Sequence, residues 1–272
     1  MKVHHLNCGT MRPLGGRLVD GRGGLLRRAE LVCHCLLVET GSALVLVDTG
    51  MGSPSVDRPA DWLGAGFARL VGVRTSLAET AAEQVKRLGY AVTDVRHVVL
   101  THLDLDHAGG LADFPHATVH VYAEELRALE TPRDHAERRR YRAAQFAHGP
   151  QWNGYADTGE HWFGFDAVRG LAGLPPEILV VPLAGHTRGH AGVAIDTGDG
   201  WLLHAGDAYF FHGELDPFRP HCPPVLASFE RRVQTVSALR LANQRRLREL
   251  VRTHDDVTVF SAHDAHELNR FR

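Results

Sequence analysis

The chain has 272 residues, a formal net charge of −2 at pH 7, 44% hydrophobic residues and 23% charged residues. This length suits one large domain or two small ones, and the composition supports a sizeable core and argues against disorder. The near-neutral charge balance gives no sign of a polyanion-binding surface, so no nucleic-acid partner is expected.

The N-terminal residues and the apolar runs bear on location. Residues 1–7 lack the apolar stretch of a secretory signal, and no apolar run approaches the ~20 residues that span a bilayer. We therefore expect a cytoplasmic protein with no membrane partner.

The four cysteines form no CxxC pair, which disfavours a zinc ribbon. Cys33 and Cys35 are interpreted as buried strand residues, with metal binding as the alternative.

The first half of the chain is predicted to combine strands with one helix. Two apolar strands, 31–39 and 43–48, are separated by a Thr-Gly-Ser turn and so form a hairpin. A capping box of Ser76 and Glu79 begins the helix. A short, fully buried strand then covers residues 97–101.

A strand at 118–122 and a helix from Glu124 lead into a distinctive segment, 131–165. This segment is rich in arginine and then in aromatic residues, and we interpret it as a lid over a pocket. The alternative is that its aromatic side chains only anchor it to the core. The basic run 138–140 is assigned to the solvated face of a helix.

The second half is again rich in strands, which suggests a duplicated sandwich. Apolar strands run into an aspartate-containing turn in both halves, at 45–50 and at 202–207. The remaining predicted elements are strands at 178–182, 192–196, 201–204 and 257–260 and a long helix over 229–252.

Residues 101–110 concentrate side chains that bind metals. His102, Asp104, Asp106 and His107 follow a buried strand directly, and no cationic residue lies in this segment. Burying them together without partners would cost several kcal/mol each, a penalty that divalent cations remove. We expect His102 and Asp104 to face one ion while Asp106 and His107 face another. The alternative is a solvated acidic loop.

This segment resembles the HxHxDH signature of the metallo-β-lactamase superfamily, with Asp104 where that pattern has histidine. Further motifs of the family follow in order, spanning residues 48 to 263: Asp48-Thr49-Gly50, His186-Thr187-Arg188-Gly189-His190, Ala205-Gly206-Asp207 and Ser261-Ala262-His263-Asp264. The resemblance implies an α/β fold, a four-layer αββα sandwich, as a single domain over residues 1–272.

The resemblance also implies a metal-ligand set that holds two divalent transition metal ions. One ion would be held by His102, Asp104 and His186, the other by Asp106, His107 and His263, with Asp207 between them. Zinc is the expected metal. Because Asp104 replaces a nitrogen donor with oxygen, iron, manganese or cobalt are alternatives. If Asp104 is not a ligand, the first site is weakened and one ion binds in total.

The implied reaction is hydrolysis, in which a water activated by the two ions attacks a carbonyl group. Asp106 would bind metal and accept a proton, and Tyr209 would donate a hydrogen bond to the oxyanion. The alternative for Tyr209 is a packed aromatic residue. His190 is expected to support the site by hydrogen bonding, as Asp48 does from beneath it.

The substrate is expected to be a small molecule with an ester or lactone bond, because the motifs look most like those of acyl-homoserine lactonases. Two enzymatic alternatives are a glyoxalase II-like thioester hydrolase and an iron-dependent redox enzyme similar to persulfide dioxygenases. A third is a binding module without catalysis, which the near-complete ligand set disfavours. A homodimer is compatible with the sequence, which does not decide the oligomeric state.

Overall fold

The computed structural model describes residues 1–156, 159–167 and 170–272. Its strands, β1 to β13 in chain order, are Lys2–Met11, Leu31–Glu39, Leu44–Val47, Val73–Arg74, Val95–Val99, Thr118–Tyr122, Gln151–Tyr155, Glu160–Trp162, Phe165–Ala167, Ile178–Pro182, Ala191–Asp196, Trp201–His204 and Val257–Phe260. Its α-helices, α1 to α10, are Arg17–Asp20, Pro54–Asp57, Ala65–Val71, Ala81–Arg87, Ala123–Glu130, His135–Arg140, Ala143–Phe146, Pro224–Val233, Ser237–Thr253 and Ala265–Asn269. None of the helices in these ranges combines the length and apolar composition that a bilayer crossing needs.

Two β-sheets form the centre of the molecule. The larger has the strand order β4-β1-β2-β3-β5-β6-β7, and the smaller has the order β10-β11-β12-β13. Strands β3, β5, β6 and β7 run parallel, as do β12 and β13. Since parallel strands end at the same edge of a sheet, the segments that follow β3 and β5, and those that follow β12 and β13, emerge side by side.

The two sheets pack face to face through a layer of aliphatic side chains. Val45 and Val47 of β3 belong to the same buried cluster as Val180 of β10 and Val193 of β11. The outer face of the larger sheet is covered by α4 and α5, and that of the smaller sheet by α9. The predicted αββα sandwich is therefore confirmed, as one domain.

Most predicted strands are present, and the differences have local causes. β2, β6, β10, β12 and β13 have the predicted bounds. The predicted helix over 229–252 is instead two helices, α8 and α9. The backbone amides of Thr235 and Val236 between them donate to the carbonyl of Gly185, at 3.0 and 2.8 Å, and so leave the helical pattern. The cap of α4 is Thr80, whose hydroxyl accepts from the Glu83 amide, rather than Ser76.

The segment 131–165 is divided among several parts of the fold. β7 extends the larger sheet as an edge strand beside β6. Trp162 and Phe165, in the β8–β9 hairpin, are buried against the outer face of the smaller sheet. The aromatic side chains of this segment thus anchor it to the core, the alternative to lining a pocket. The segment reaches the candidate site through Arg140, at the end of α6.

Candidate metal centre

The predicted ligands come together where the strands of the two sheets end. The loop after β5 carries His102, Asp104, Asp106 and His107, and the connection from β10 to β11 carries His186. Asp207 follows β12 and His263 follows β13. His102, His107, His186, Asp207 and His263 are each 3% exposed or less. The expected set of seven side chains is therefore assembled in one place from both sheets.

One set of donor atoms, the first group, consists of His102, Asp104, His186 and Asp207. The Nε2 atom of His186 lies 3.0 Å from Asp104 Oδ2 and 3.2 Å from Asp207 Oδ2. The Nε2 atom of His102 lies 3.4 and 3.7 Å from the same two oxygens. Donors that share one tetrahedral ion at about 2.1 Å are separated by about 3.4 Å, so these distances fit one metal position.

The second group consists of His107, Asp207 and His263. The Nε2 atoms of both histidines lie close to Asp207 Oδ1, at 3.3 Å for His107 and 3.1 Å for His263. Asp106 Oδ2 is 3.7 Å from His263 Nε2. Because the Asp207 carboxylate lies against the donors of both groups, it is placed to be shared between them.

Buried Cys33 lies at the edge of the second group. Its sulfur and the ligand atoms of Asp106 and His263 all lie within 4.8 Å of one another. Sequence reasoning placed Cys33 correctly on a buried strand but did not detect this proximity. Its position on β2 is far from the motif in sequence, so no local pattern could have revealed it.

Among the residues that the structure describes, two atoms at this centre are buried without a hydrogen-bond partner, His102 Nε2 and Asp207 Oδ1. A buried polar atom without a partner costs free energy, and both atoms are of the kind that ligate metals. Imidazole and carboxylate donors together suit zinc, iron, manganese or cobalt. The residues present therefore fit divalent metal ions.

Hydrogen bonds from outside the two groups orient the histidines. Asp48 Oδ2 accepts from Nδ1 of His107 at 2.7 Å, and Asp48 also accepts from the amide and hydroxyl of Thr101 at 2.8 Å. Asp48 has a φ of 55°, a left-handed conformation that these bonds hold in place. His263 Nδ1 donates to the Val32 carbonyl at 2.7 Å. Each bond directs the Nε2 atom of its histidine into the centre.

His190 takes the supporting role expected for it. Its Nδ1 donates to the Leu183 carbonyl at 3.0 Å, and its Nε2 accepts from the backbone amide of Asp207 at 2.8 Å. Both ring nitrogens are thus used by the protein, and the ring fixes the bridging residue in position.

The clustered charges shift the pKa values of the centre. Although burial acts against it, the carboxylates of Asp207 and Asp48 raise the pKa of His107 well above its ordinary value. Burial also opposes ionisation of Asp207, but the neighbouring His263 and His107 hold its pKa well below the usual range. Burial, and then the guanidinium of Arg140, lower the pKa of His186 to about 4. The Asp207 carboxylate is therefore ionised and available as a ligand.

Arg140 is a second residue at this centre that sequence reasoning missed. The run 138–140 was assigned to a solvated surface, which holds for Arg138 and Arg139 but not for Arg140. The Arg140 guanidinium forms a bidentate pair with Asp104, with both N···O distances 2.5 Å. Its Nη2 also lies 2.7 Å from His186 Nε2. The segment 101–110 contains no cationic residue of its own, and Arg140, 36 residues after Asp104, provides one.

Tyr209 does not lie at the centre, so the structure contradicts its predicted role as an oxyanion donor. Its side chain is fully buried on the outer side of the smaller sheet, and its hydroxyl donates to Glu267 at 2.8 Å. The following residue, Phe210, points the other way and lines the cavity above the metal ligands. The buried Glu267 carboxyl group accepts this hydrogen bond, which explains where the hydroxyl goes.

A cavity of about 310 Å³ opens onto the ligands. Asp104, Asp106, His186, Asp207 and His263 form its polar base. Its walls are mostly apolar and are provided by Met11, Leu31, Phe67, Leu70, Val71, Leu105, Phe210, Phe229 and Val233, with Arg140 and Arg232 also in the lining. The centre is therefore accessible to a small molecule with an apolar portion.

Comparison with known proteins places the chain in a family. The sequence model of the metallo-beta-lactamase superfamily matches residues 28–254. A probable metallo-hydrolase of Mycobacterium tuberculosis is 44% identical, with 97% of this chain and 80% of that protein covered. An N-acyl homoserine lactonase of a Bacillus species is 26% identical, with 86% and 82% covered.

A solved structure gives the same result for the fold. An N-acyl homoserine lactone hydrolase, with the product N-hexanoyl-L-homoserine bound at its catalytic metal centre, superposes with a TM-score of 0.70. The superposition covers 100% of this chain and 96% of that one, at 21% sequence identity. With the matched motifs and the assembled ligands, these findings establish that the chain belongs to the metallo-beta-lactamase superfamily.

Proposed function

We propose that this protein is a metal-dependent hydrolase that cleaves the ester or lactone bond of a small molecule carrying an apolar acyl group. The observation that carries the proposal is the position of Asp207. One carboxylate faces two groups of buried donors at the base of an apolar cavity. This arrangement suits two ions that share a ligand beneath a bound substrate.

The proposed ligands are those of the first and second groups together with Asp106. Divalent ions held there would supply a nucleophile derived from water and would polarise the carbonyl that is attacked. Asp106 lies in the cavity lining, and within the described ranges its carboxylate makes no hydrogen bond to the protein. Its free oxygen is thus placed to take up the proton released during attack and to return it to the leaving group.

The walls of the cavity support an apolar acyl group as part of the substrate. Phe67 and Leu70 of α3 line the cavity together with Phe229 and Val233 of α8. Burial of methylene groups against such walls contributes about 0.8 kcal/mol each. The lactonase relatives named above support a lactone as the bond that is cleaved.

The test is a substrate panel run on protein that has been stripped of metal with a chelator and reloaded. The panel contains N-acyl homoserine lactones of increasing acyl length, simple aryl esters, a glutathione thioester and a phosphodiester. We expect turnover of lactones or esters that disappears on chelation, returns on reloading, and has kcat/KM rising with acyl length. Preference for the thioester, or oxygen consumption without carbonyl hydrolysis, would contradict the proposal.

A further inference from the structure

The two groups of metal ligands differ in their contact with an internal cation. Arg140 Nε and Nη2 donate to both carboxylate oxygens of Asp104. In the part of the chain that the structure describes, no lysine or arginine forms an ion pair with Asp207, and Arg140 pairs with Asp104 alone. The guanidinium therefore neutralises the Asp104 carboxylate of the first group, and the second group has no lysine or arginine partner among the described residues.

The contact with His186 has a fixed direction. A guanidinium carries N–H donors and no acceptor, so the Nε2 atom of His186 must accept from Arg140 through its lone pair. That lone pair is the one a metal ion would use. The same nitrogen, Nη2, lies 2.5 Å from Asp104 Oδ2, the oxygen that faces the first group. Arg140 thus engages two of the four donors of this group.

The other two donors of the first group remain available. Arg140 forms no ion pair within 4.0 Å of Asp207 among the described residues, and His102 Nε2 has no hydrogen-bond partner. Arg140 is also secured at its far side, because Nη1 donates to the Val233 carbonyl at 2.6 Å. The guanidinium is thus held at one edge of the group, where it obstructs an ion without filling the position.

We propose that Arg140 acts as an internal cation that competes with a metal ion for the first group. The second group fills first, and an ion enters the first group only when the guanidinium releases His186 and one oxygen of Asp104. Asp104, the departure from the family pattern, is then the anchor that keeps Arg140 in place. This inference rests on the proposed metal centre but not on the proposed substrate.

The experiment measures binding of Zn²⁺ and Co²⁺ to metal-free protein by calorimetry and chelator competition, with the Co²⁺ absorption spectrum as a second readout. The wild type should bind one ion tightly and a second ion at least tenfold more weakly, equivalent to about 1.4 kcal/mol. Arg140→Met removes the charge at similar length and should tighten the second step tenfold or more. Arg139→Met, on the exposed side of the same helix, is the matched control and should change neither step.

Arg140→Lys keeps a cation in place and should retain the weak second step, which guards against a folding defect in the methionine variant. Circular dichroism of each metal-free variant checks folding directly. Two equal binding steps in the wild type, a loss of bound metal in Arg140→Met, or equal tightening in the lysine and methionine variants would each overturn the proposal. Since no substrate is used, these outcomes are separate from any failure to hydrolyse lactones.

Discussion

Asp48 shows how a single side chain outside the ligand set controls the centre. Its carboxylate accepts from His107 Nδ1 and from Thr101, and it does so from a left-handed backbone conformation. A bond of this kind fixes the ring orientation of a ligating histidine and makes Nε2 a better donor. The early Asp-Thr-Gly motif therefore supports the second group from beneath.

Replacing Asp48 with asparagine should weaken metal binding 10- to 100-fold, because the amide still fits the left-handed conformation but no longer carries the charge that orients His107. Chelator competition on the purified variant measures this loss. Asp57→Asn, an exposed aspartate on α2, serves as the control and should bind as the wild type does. Unchanged affinity in Asp48→Asn would show that His107 needs no such support.

Tyr209 provides a second test at the scale of a residue. Because its hydroxyl donates to Glu267 away from the cavity, Tyr209→Phe should leave kcat within about threefold of the wild type. The free energy of unfolding should fall by about 1–3 kcal/mol, because the buried Glu267 loses a donor. Steady-state kinetics and urea unfolding distinguish the two effects. A hundredfold loss of kcat with normal stability would show that Tyr209 takes part in the reaction.

At the scale of elements, a buried glutamate of α8 meets a buried arginine of α9. Glu230 of α8 is 3% exposed and lies near Arg240 of α9, with N···O at 3.5 Å. Burial, and then the neighbouring carboxylate of Glu214, raise the pKa of Glu230 from 4.5 to about 9. Glu230 is thus protonated in the folded protein at neutral pH but ionised in the unfolded chain.

This difference gives stability a pH dependence of known sign. Between pH 4.5 and 9 the folded state binds the extra proton, so stability is lost as pH rises, at about 1.4 kcal/mol per pH unit at most. Glu230→Gln, whose side chain does not titrate, should remove this slope. Urea unfolding of metal-free protein at pH 5 and pH 8 measures it. Parallel curves for variant and wild type would contradict the shifted pKa of Glu230.

The elements also show what the sequence could reveal. Strands such as β10 and β12 were predicted at their observed bounds because short apolar runs bounded by turn residues determine them locally. The break between α8 and α9 was not predicted, since it depends on the carbonyl of Gly185, about fifty residues away. Arg140 was missed for the same reason. Its contact with Asp104 is made by the tertiary fold, so the sequence of helix α6, which carries Arg140, does not reveal it.

The clustering of the proposed ligands was predictable because four motifs occur in a known order along the chain. The structure brings all seven predicted ligands together, whereas it places Tyr209 elsewhere. The predicted ligands and Tyr209 differ in the local structure that orients each side chain. Hydrogen bonds to Asp48 and to the Val32 carbonyl hold His107 and His263 toward the centre. Tyr209 and Phe210, by contrast, point to different sides of the chain, and the sequence alone does not show which of them faces the cavity.

At the scale of the whole molecule, the centre joins the two sheets. His107 belongs to a loop of the larger sheet, while Asp207 and His263 belong to the smaller one. An ion held by all three should therefore stabilise the sandwich, by about 4 kcal/mol when its concentration is a thousand times the Kd. Calorimetry with and without chelator should show a lower Tm for the stripped wild type and no chelator effect in Asp207→Ala. An identical Tm in both wild-type samples would mean that the ion does not bridge the sheets.

Elemental analysis of protein purified without added metal tests the central claim most directly, because the proposed chemistry requires a resident ion. We predict at least one equivalent of a transition metal per chain in the wild type and its loss in Asp207→Ala, whose carboxylate faces both groups. A folded wild type that holds no stoichiometric metal, or an Asp207→Ala variant that retains the full amount, would contradict the assignment of this centre.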